Sequence, residues 1–426
     1  MRRFIKAAFA SAMCLLIFAS CADPKEFSDE EKLSGKYTRN SDFSVTYNYA
    51  DGAEEPPNSY SNFANGALEF ELKQLRNLAK SNKESFVFCP ANATLSVAMT
   101  ANAASQDTRQ EILLALNSDA GLDELNVCSS YFKSRMESVG AKGDSGNSVT
   151  LGGAMLISDK IDVKSSFLQS EKDFFGYDVF RFDTKGENAA DKLKNYLPKG
   201  TDISAVDLKK GSLNLISFSE LNDGWLDNYG DESVFRGEFN GSGEKASSTF
   251  LFSEESKIET DSAVGIIKYT ANNPLKLVMV MPKDGKSFDK YVEGFNGSEL
   301  SALLDSVDIT KKSDAYIPEF TVESGKNAES RAGVLTSCGL YSLFSEKAGF
   351  SALSYTESAA MGDYYEVTPG FSLTKDGINK SAELLGSSES LQALNAEKDA
   401  VVFDRPFIYM LIDNESNLPV YAGIYK

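Results

Sequence analysis

The apolar segments of this chain change type along its length, and that order constrains its fold more than any other feature. Helical spacing comes first. Over residues 63–80, Leu68, Leu72, Leu75 and Ala79 fall on one face of an amphipathic helix. A short apolar strand follows at residues 85–88 (SFVF). Pro90 then suits the first turn of a second helix, whose ATLSVAMTANAA is small and apolar enough for deep burial. Asp107 with Gln110 resembles a capping box opening a third helix, with Ile112, Leu113 and Leu116 inward. Strand-type runs dominate afterwards, at residues 149–157, 212–218, 275–282, 401–412 and 419–425. The last two are joined by DNESNL, a hairpin loop by composition. Helices early and strands late predict an α+β fold with a mixed or antiparallel sheet, not alternating βαβ units.

With 426 residues and 42% hydrophobic content the chain is ample for a large core. No linker interrupts it after about residue 60, so residues 61–426 read as one domain. Residues 1–20 read as an export signal. Arg2, Arg3 and Lys6 form a basic start, and an apolar run over residues 7–19 is too short for a stable span. Phe18-Ala19-Ser20-Cys21 resembles a bacterial lipoprotein box, which implies cleavage before Cys21 and acylation of its thiol. The alternative is an ordinary secretory signal followed by a free cysteine. Residues 21–60 are polar and acidic with little period, and read as a lipidated flexible tether. Ala22 after the cysteine leans toward the outer membrane, and Ser28–Glu31 (SDEE) resembles acidic surface-export tags. The expected location is therefore exported and lipid-anchored, at the outer membrane or cell surface.

The chain contains no histidine, which removes Ser-His-Asp and Cys-His catalysis and every histidine-containing metal site. No motif places carboxylate or Ser-Lys chemistry, so no enzyme, metal or cofactor is expected. A formal charge of −19 repels nucleic acid and heparin-type polyanions. Cys89, Cys128 and Cys338 read as small buried residues rather than a disulfide framework.

One stretch resists assignment. KDGINKSAELLGSSESLQALN (residues 375–395) has Ile378, Ala382 and Leu385 at helical spacing, but Gly386, Ser387 and Ser388 break the pattern.

Four segments resemble the serpin family in order. FVFCPANATLSVAMTANAASQDTRQEILLALN (residues 86–117) is similar to the family's strand, Ser-Pro and buried helix, with Cys89 in place of the usual serine. Its Thr108, Glu111, Ile112 and Leu116 match the helix that follows. LKLVMVMPKDGKSFDKYV matches a strand and turn. Residues 316–354 carry Pro318, Phe320, Gly339-Leu340, Leu343-Phe344, Ala348 and Phe350-Ser351 in family order. VVFDRPFIYML (residues 401–411) resembles the C-terminal signature, and Trp225 in SFSELNDGWL occupies the place of the family's aromatic near the top of the central sheet. The resemblance spans residues 63–426.

It implies a serpin fold with a large mixed central sheet, two smaller sheets, about eight to nine helices and an exposed reactive loop. It implies a monomeric suicide-substrate inhibitor whose partner is a serine or cysteine protease. The protease cleaves the loop, which then inserts into the sheet as a strand. The loop hinge falls on Lys375, Gly377, Ile378, Lys380 and Ala382. The family's spacing then gives Leu391 as the scissile residue and Gln392 as the next, with Ser390 or Leu394 as alternative registers. A leucine there favours chymotrypsin-, elastase- or subtilisin-like targets. The sheet gate and breach fall on Pro90, Asn92, Ser217 and Trp225.

Departures from the family fall at the same places. Lys375 replaces the hinge glutamate, and Ser217 stands where asparagine is usual. Strand alternation would turn Ile378, Lys380, Ala382, Leu384, Gly386 and Ser388 inward, so Lys380 would carry an ammonium into the core. These changes motivate an alternative, a non-inhibitory serpin-fold surface binding protein.

Overall fold

The computed structural model describes residues 26–40, 56–116, 121–138, 147–183, 188–241, 245–271, 275–323, 327–355, 359–367, 370–380 and 391–426. The helices among them are α1 (Tyr60–Ser81), α2 (Pro90–Ala103), α3 (Gln106–Ala115), α4 (Leu122–Glu137), α5 (Ser165–Ser170), α6 (Ala189–Tyr196), α7 (Phe288–Gly294), α8 (Gly297–Asp305) and α9 (Ala332–Ser337). The first strands are β1 (Phe86–Phe88), β2 (Ser148–Ser158), β3 (Asp178–Phe182), β4 (Leu213–Asn222), β5 (Val234–Asn240), β6 (Lys245–Glu259), β7 (Ala263–Tyr269), β8 (Leu275–Pro282) and β9 (Ser313–Pro318). They are followed by β10 (Phe320–Val322), β11 (Ala328–Ser330), β12 (Met361–Val367), β13 (Phe371–Thr374), β14 (Gly377–Ile378), β15 (Val401–Val402), β16 (Phe407–Asp413) and β17 (Pro419–Tyr425).

The central sheet has the order β11-β12-β4-β2-β3. It is mixed, as expected: β12 runs parallel to β4 and β2 parallel to β3, while β4 and β2 are antiparallel. At its upper end β13 continues the line of β12 and pairs with β10 and β14. The other strands form a nine-stranded arrangement in which β6 serves two sheets. Its first part pairs with β5 and β9, and its last part, from Ser256, pairs with β7.

Helix α2 runs beneath the central sheet, and all of its residues are buried. Its alanines and Ser96 allow close approach from every side, and Pro90 opens its first turn. Its polar groups find partners: Thr94 Oγ1 donates to Glu71 Oε1 at 2.7 Å, and Asn102 exchanges amide bonds with Asn126 at 2.8 and 2.9 Å. Cys89, Cys128 and Cys338 are buried free thiols. No described helix is long and apolar enough to cross a membrane.

Three expectations need correction. Asp107 does not cap α3: the N-cap position is Ser105, whose side chain makes no capping bond, and Asp107 lies inside the first turn. The apolar run at residues 401–412 is two strands, because Asp404–Pro406 interrupts pairing and proline cannot donate to a ladder. The reading of residues 21–60 as a flexible tether fails for residues 26–40. Phe27 stacks on Phe180 of β3, ring centroids 3.9 Å apart, and meets Tyr196 of α6 edge-on. Arg181 N–H donates to Glu31 O, and Lys192 pairs with Glu31 at 2.6 Å. Thus Ser28–Glu31, read as an export tag, is folded against the domain edge. The signal and Cys21 lie outside the described residues.

Glu171, in the wide turn Glu171–Phe175 after α5, is fully buried. No described group bonds either of its carboxyl oxygens. Burial raises its pKa well above the ordinary carboxyl range, and Glu71 is shifted the same way for the same reason. The neutral acid is therefore the folded form. Its contribution is fully present below about pH 4 and is lost as pH rises toward the folded pKa, because only the unfolded chain ionises there. We expect Glu171→Gln to raise the melting temperature at pH 8 and to change it little at pH 4. Equal differences at both pH values would contradict a buried neutral carboxyl.

Candidate functional site

Within the central sheet the seam between β4 and β12 is the candidate site, because the hinge residue Ile378 bridges Asp223 just past the end of β4. Met361–Val367 runs parallel to Leu213–Phe218. After β13 the chain reverses at Lys375-Asp376, so whatever follows runs antiparallel to β13 and β4 alike. A strand entering this seam converts one parallel contact into two antiparallel ones, the slightly stronger pairing per residue.

Gly377 and Ile378 form β14, hydrogen-bonded to β13 in the register Leu373↔Ile378. On the other side Ile378 bridges Asp223: Ile378 N–H donates to Asp223 O at 2.7 Å, and Asp223 N–H returns to Ile378 O at 3.1 Å. The Ile378 side chain is fully buried in the main core. Gly377 is required here, because it sits at φ +142° and a Cβ would fall 2.2 Å from Asp223 O. Ile378, the first residue of the set expected to face inward on insertion, is thus buried in the folded chain too.

Pairing stops at the next residue. Asn379 adopts φ +52°, the left-handed region that asparagine tolerates. Its Oδ1 accepts from Ser372 N–H at 2.7 Å, and its own N–H donates to Ser372 O at 2.9 Å. Its side chain thereby occupies the position a continuing strand would take beside β13. Lys380 follows, half-buried, with Nζ donating to Asn147 Oδ1 just before β2. Ala382 lies outside the described residues.

Lys375 is held by two acidic residues. Its Nζ pairs with Asp231 at 2.9 Å, and its N–H donates to Glu319 Oε1 at 3.0 Å. Asp231 is almost fully exposed, so this pair orients the turn more than it stabilises it.

Trp225, the residue expected at the breach, is buried just past the end of β4, where its indole N–H donates to Thr374 O at 2.9 Å. It thus touches the strand end from which the hinge departs. Sequence reasoning missed what fixes it. Lys268 Nζ lies 5.2 Å from the Trp225 ring centroid and 4.3 Å from that of Tyr229, and pairs with Glu255 at 2.7 Å. Both charged side chains are buried. The two lie on adjacent antiparallel strands, but no period in their sequence marks them as neighbours.

The residues expected at the gate bond β4, β12 and Tyr177. Asn92 of α2 donates to Phe218 O at 2.9 Å and accepts from Tyr177 Oη at 3.0 Å. Ser217 Oγ lies 2.8 Å from Tyr364 Oη, a side-chain bond that crosses the seam itself. Burial holds the Tyr364 phenol far above its ordinary pKa, so the hydroxyl keeps its proton. Serine at 217 therefore supplies a latch of its own, whose net contribution is about 1 kcal/mol. Cys89 N–H donates to buried Glu366, which also pairs with Arg331 at 3.2 Å, and this ties β12 to the start of α2.

The candidate scissile residue Leu391 is half-buried and rests against the core, while Gln392 is exposed. Among the described residues no cluster of acids or cysteines has metal-ligand geometry.

The sequence model of the family described as Serpin (serine protease inhibitor) matches residues 65–425. Human plasma serine protease inhibitor is 21% identical over 376 residues, 85% of this chain and 88% of the relative. Human alpha-1-antichymotrypsin is 22% identical over 368 residues, 83% of this chain and 84% of the relative. The native state of tengpin, a thermophilic serpin, superposes with a TM-score of 0.74 at 22% identity, covering 92% of this chain and 98% of that one. Thyroxine-binding globulin complexed with thyroxine gives 0.70 at 14% identity, covering 85% and 98%.

Proposed function

The chain belongs to the serpin family, and we propose that it inhibits a protease by offering residues 375–395 as a suicide substrate and inserting the cleaved strand between β4 and β12. Serpins are protease inhibitors, not enzymes. The observation that carries the mechanism is Ile378, buried and paired on both sides at the mouth of the seam. A hinge so placed needs only further residues of the same strand to follow it. The relatives named as serine protease inhibitor and antichymotrypsin support a serine protease as the target. Leu391 as scissile residue fits an apolar specificity pocket, and a cysteine protease is the second target class.

The test is incubation with chymotrypsin, an elastase and subtilisin. The expected product is a covalent complex that survives SDS, with the loop cut after Leu391 by mass spectrometry. Clean loop cleavage without complex, across the whole panel, would overturn inhibition.

Lys380 favours a second reading, a serpin-fold surface protein that binds without inhibiting. In that case loop cleavage leaves thermal stability nearly unchanged, because no strand is added. We further propose that Cys21 carries a lipid anchor and that the protein acts as a monomer at the outer membrane or cell surface. Metabolic labelling with a fatty acid, lost on Cys21→Ser, is the expected result for the anchor.

A further inference from the structure

The chain just past Leu391 is not a free loop. Arg236 of β5 uses both of its outward main-chain groups on it: Arg236 N–H donates to Gln392 O at 2.8 Å, and Leu394 N–H donates to Arg236 O at 2.8 Å. Ala393 is therefore the parallel partner of Arg236, and residues 392–394 form a short strand on the outer side of β5. The Leu394 side chain anchors it. A Cβ on Gly237 would lie 2.8 Å from the Phe250 ring and 3.4 Å from Leu394 Cδ1, so bare glycine leaves the surface low enough for the leucine to lie across it. A cleft of about 580 Å³ remains between Leu394, Phe250, Val402 and Asp404. The chain is pinned again downstream, where Asn240 N–H donates to Asp404 O at 2.6 Å and β15 pairs with β9.

This pairing leaves a particular set of groups outward. Main-chain groups of successive strand residues point to opposite sides. With Gln392 O and Leu394 N–H facing β5, the N–H and C=O of Ala393 face the other way. Ala393 is exposed, and no described strand pairs with that side. An exposed strand edge of this kind is a template for another extended main chain. Its position commits it to one partner, because it begins one residue after Leu391, where a protease cleaving Leu391–Gln392 must place its leaving-group side.

We propose that residues 392–394 are a pre-formed β-edge which the target protease pairs with through the N–H and C=O of Ala393, on the leaving-group side of the Leu391–Gln392 bond. The inference rests on the inhibitory reading for its choice of bond. The edge lowers the ordering cost of recognition, since these residues are already extended before the protease arrives. Clasping the leaving segment to β5 also keeps Gln392 and its new amine on this sheet after cleavage, while the residues before Leu391 depart toward the seam.

The test compares three full-length variants by the second-order rate at which chymotrypsin, elastase or subtilisin cuts the loop, with the bond located by mass spectrometry. Ala393→Pro removes only the outward N–H, since that nitrogen makes no bond to β5, and proline is tolerated on sheet edges. It should slow cleavage at Leu391–Gln392 about tenfold, the worth of one well-made hydrogen bond. Ala393→Val keeps the donor with added bulk and should stay near the parent rate. Leu394→Pro removes the donor to Arg236 O and should also slow cleavage by loosening the edge. Parent-like rates for Ala393→Pro would overturn the proposal. So would a faster Leu394→Pro, which would make the clasp a shield, or cleavage that never falls at Leu391–Gln392. If the parent is cut there but forms no covalent complex, inhibition fails while the comparison of rates still decides this proposal.

Discussion

A Lys380→Ala chain is expected to trap protease about ten to a hundred times faster than the parent and to convert a larger share of each encounter into covalent complex. The folded hinge fixes the register of insertion. With Ile378 opposite Asp223 on one side and Leu373 on the other, the next inward residue, Lys380, comes opposite Leu221 and Phe371. Both are buried members of the main core. An ammonium moved from Asn147 into that pair loses its partner and its water at a cost of several kcal/mol. Each 1.4 kcal/mol removed from the insertion barrier is worth a factor of ten. Asn379 adds a smaller term, because its left-handed backbone must return to the β region before the strand can lengthen. Lys380→Met, nearly as long but uncharged, should match alanine if charge is the obstacle. The cleaved Lys380→Ala protein should also melt higher than the cleaved parent. Equal trapping rates and equal melting of the cleaved forms would show that Lys380 never enters the seam.

Much of the site was legible in sequence because its residues are constrained locally. Pro90 reads as the first turn of a buried helix from backbone chemistry alone, and α2 begins there. The two-residue period of a strand turns Ile378 inward in an inserted loop, and Ile378 is buried in the folded chain as well. The family order puts Trp225 at the sheet top, and its indole N–H donates to Thr374 O. What sequence could not show depends on partners far along the chain. Phe27 is a lone aromatic in a polar run, and only the meeting of β3 with α6 gives it a surface to stack on. Asn379 carries no mark of a left-handed turn beyond its residue type. β6 was missed because its polar, serine-rich stretch alternates weakly, yet it is the strand that joins two sheets. Lys375 and Ser217 were read as losses relative to the family. Asp231 and Tyr364 supply them with partners that no local pattern announces.

Lys268→Met is expected to destabilise the folded chain by about 3–5 kcal/mol, the usual consequence of leaving one member of a buried ion pair behind. Glu255 would remain nearly inaccessible, with Ser253 Oγ at 2.7 Å as its remaining donor among the contacts described. The loss reaches the hinge because the same ammonium lies against the Trp225 and Tyr229 rings. Trp225 in turn holds Thr374, the residue from which the chain turns back toward Gly377. Loosening that contact should free the start of the loop, so the variant should insert its loop more readily even as it unfolds more easily. Trp225 is the chain's one tryptophan, and its emission during denaturant unfolding reports this corner directly. A chain carrying both Lys268→Met and Glu255→Leu should recover most of the lost stability, since two apolar side chains replace the pair without stranding a charge. If the double variant is as unstable as the single one, the pair's role is packing around Trp225 rather than charge. If Lys268→Met costs less than about 1 kcal/mol, the pair behaves as an exposed one does, and the breach is held by the indole bond to Thr374 alone.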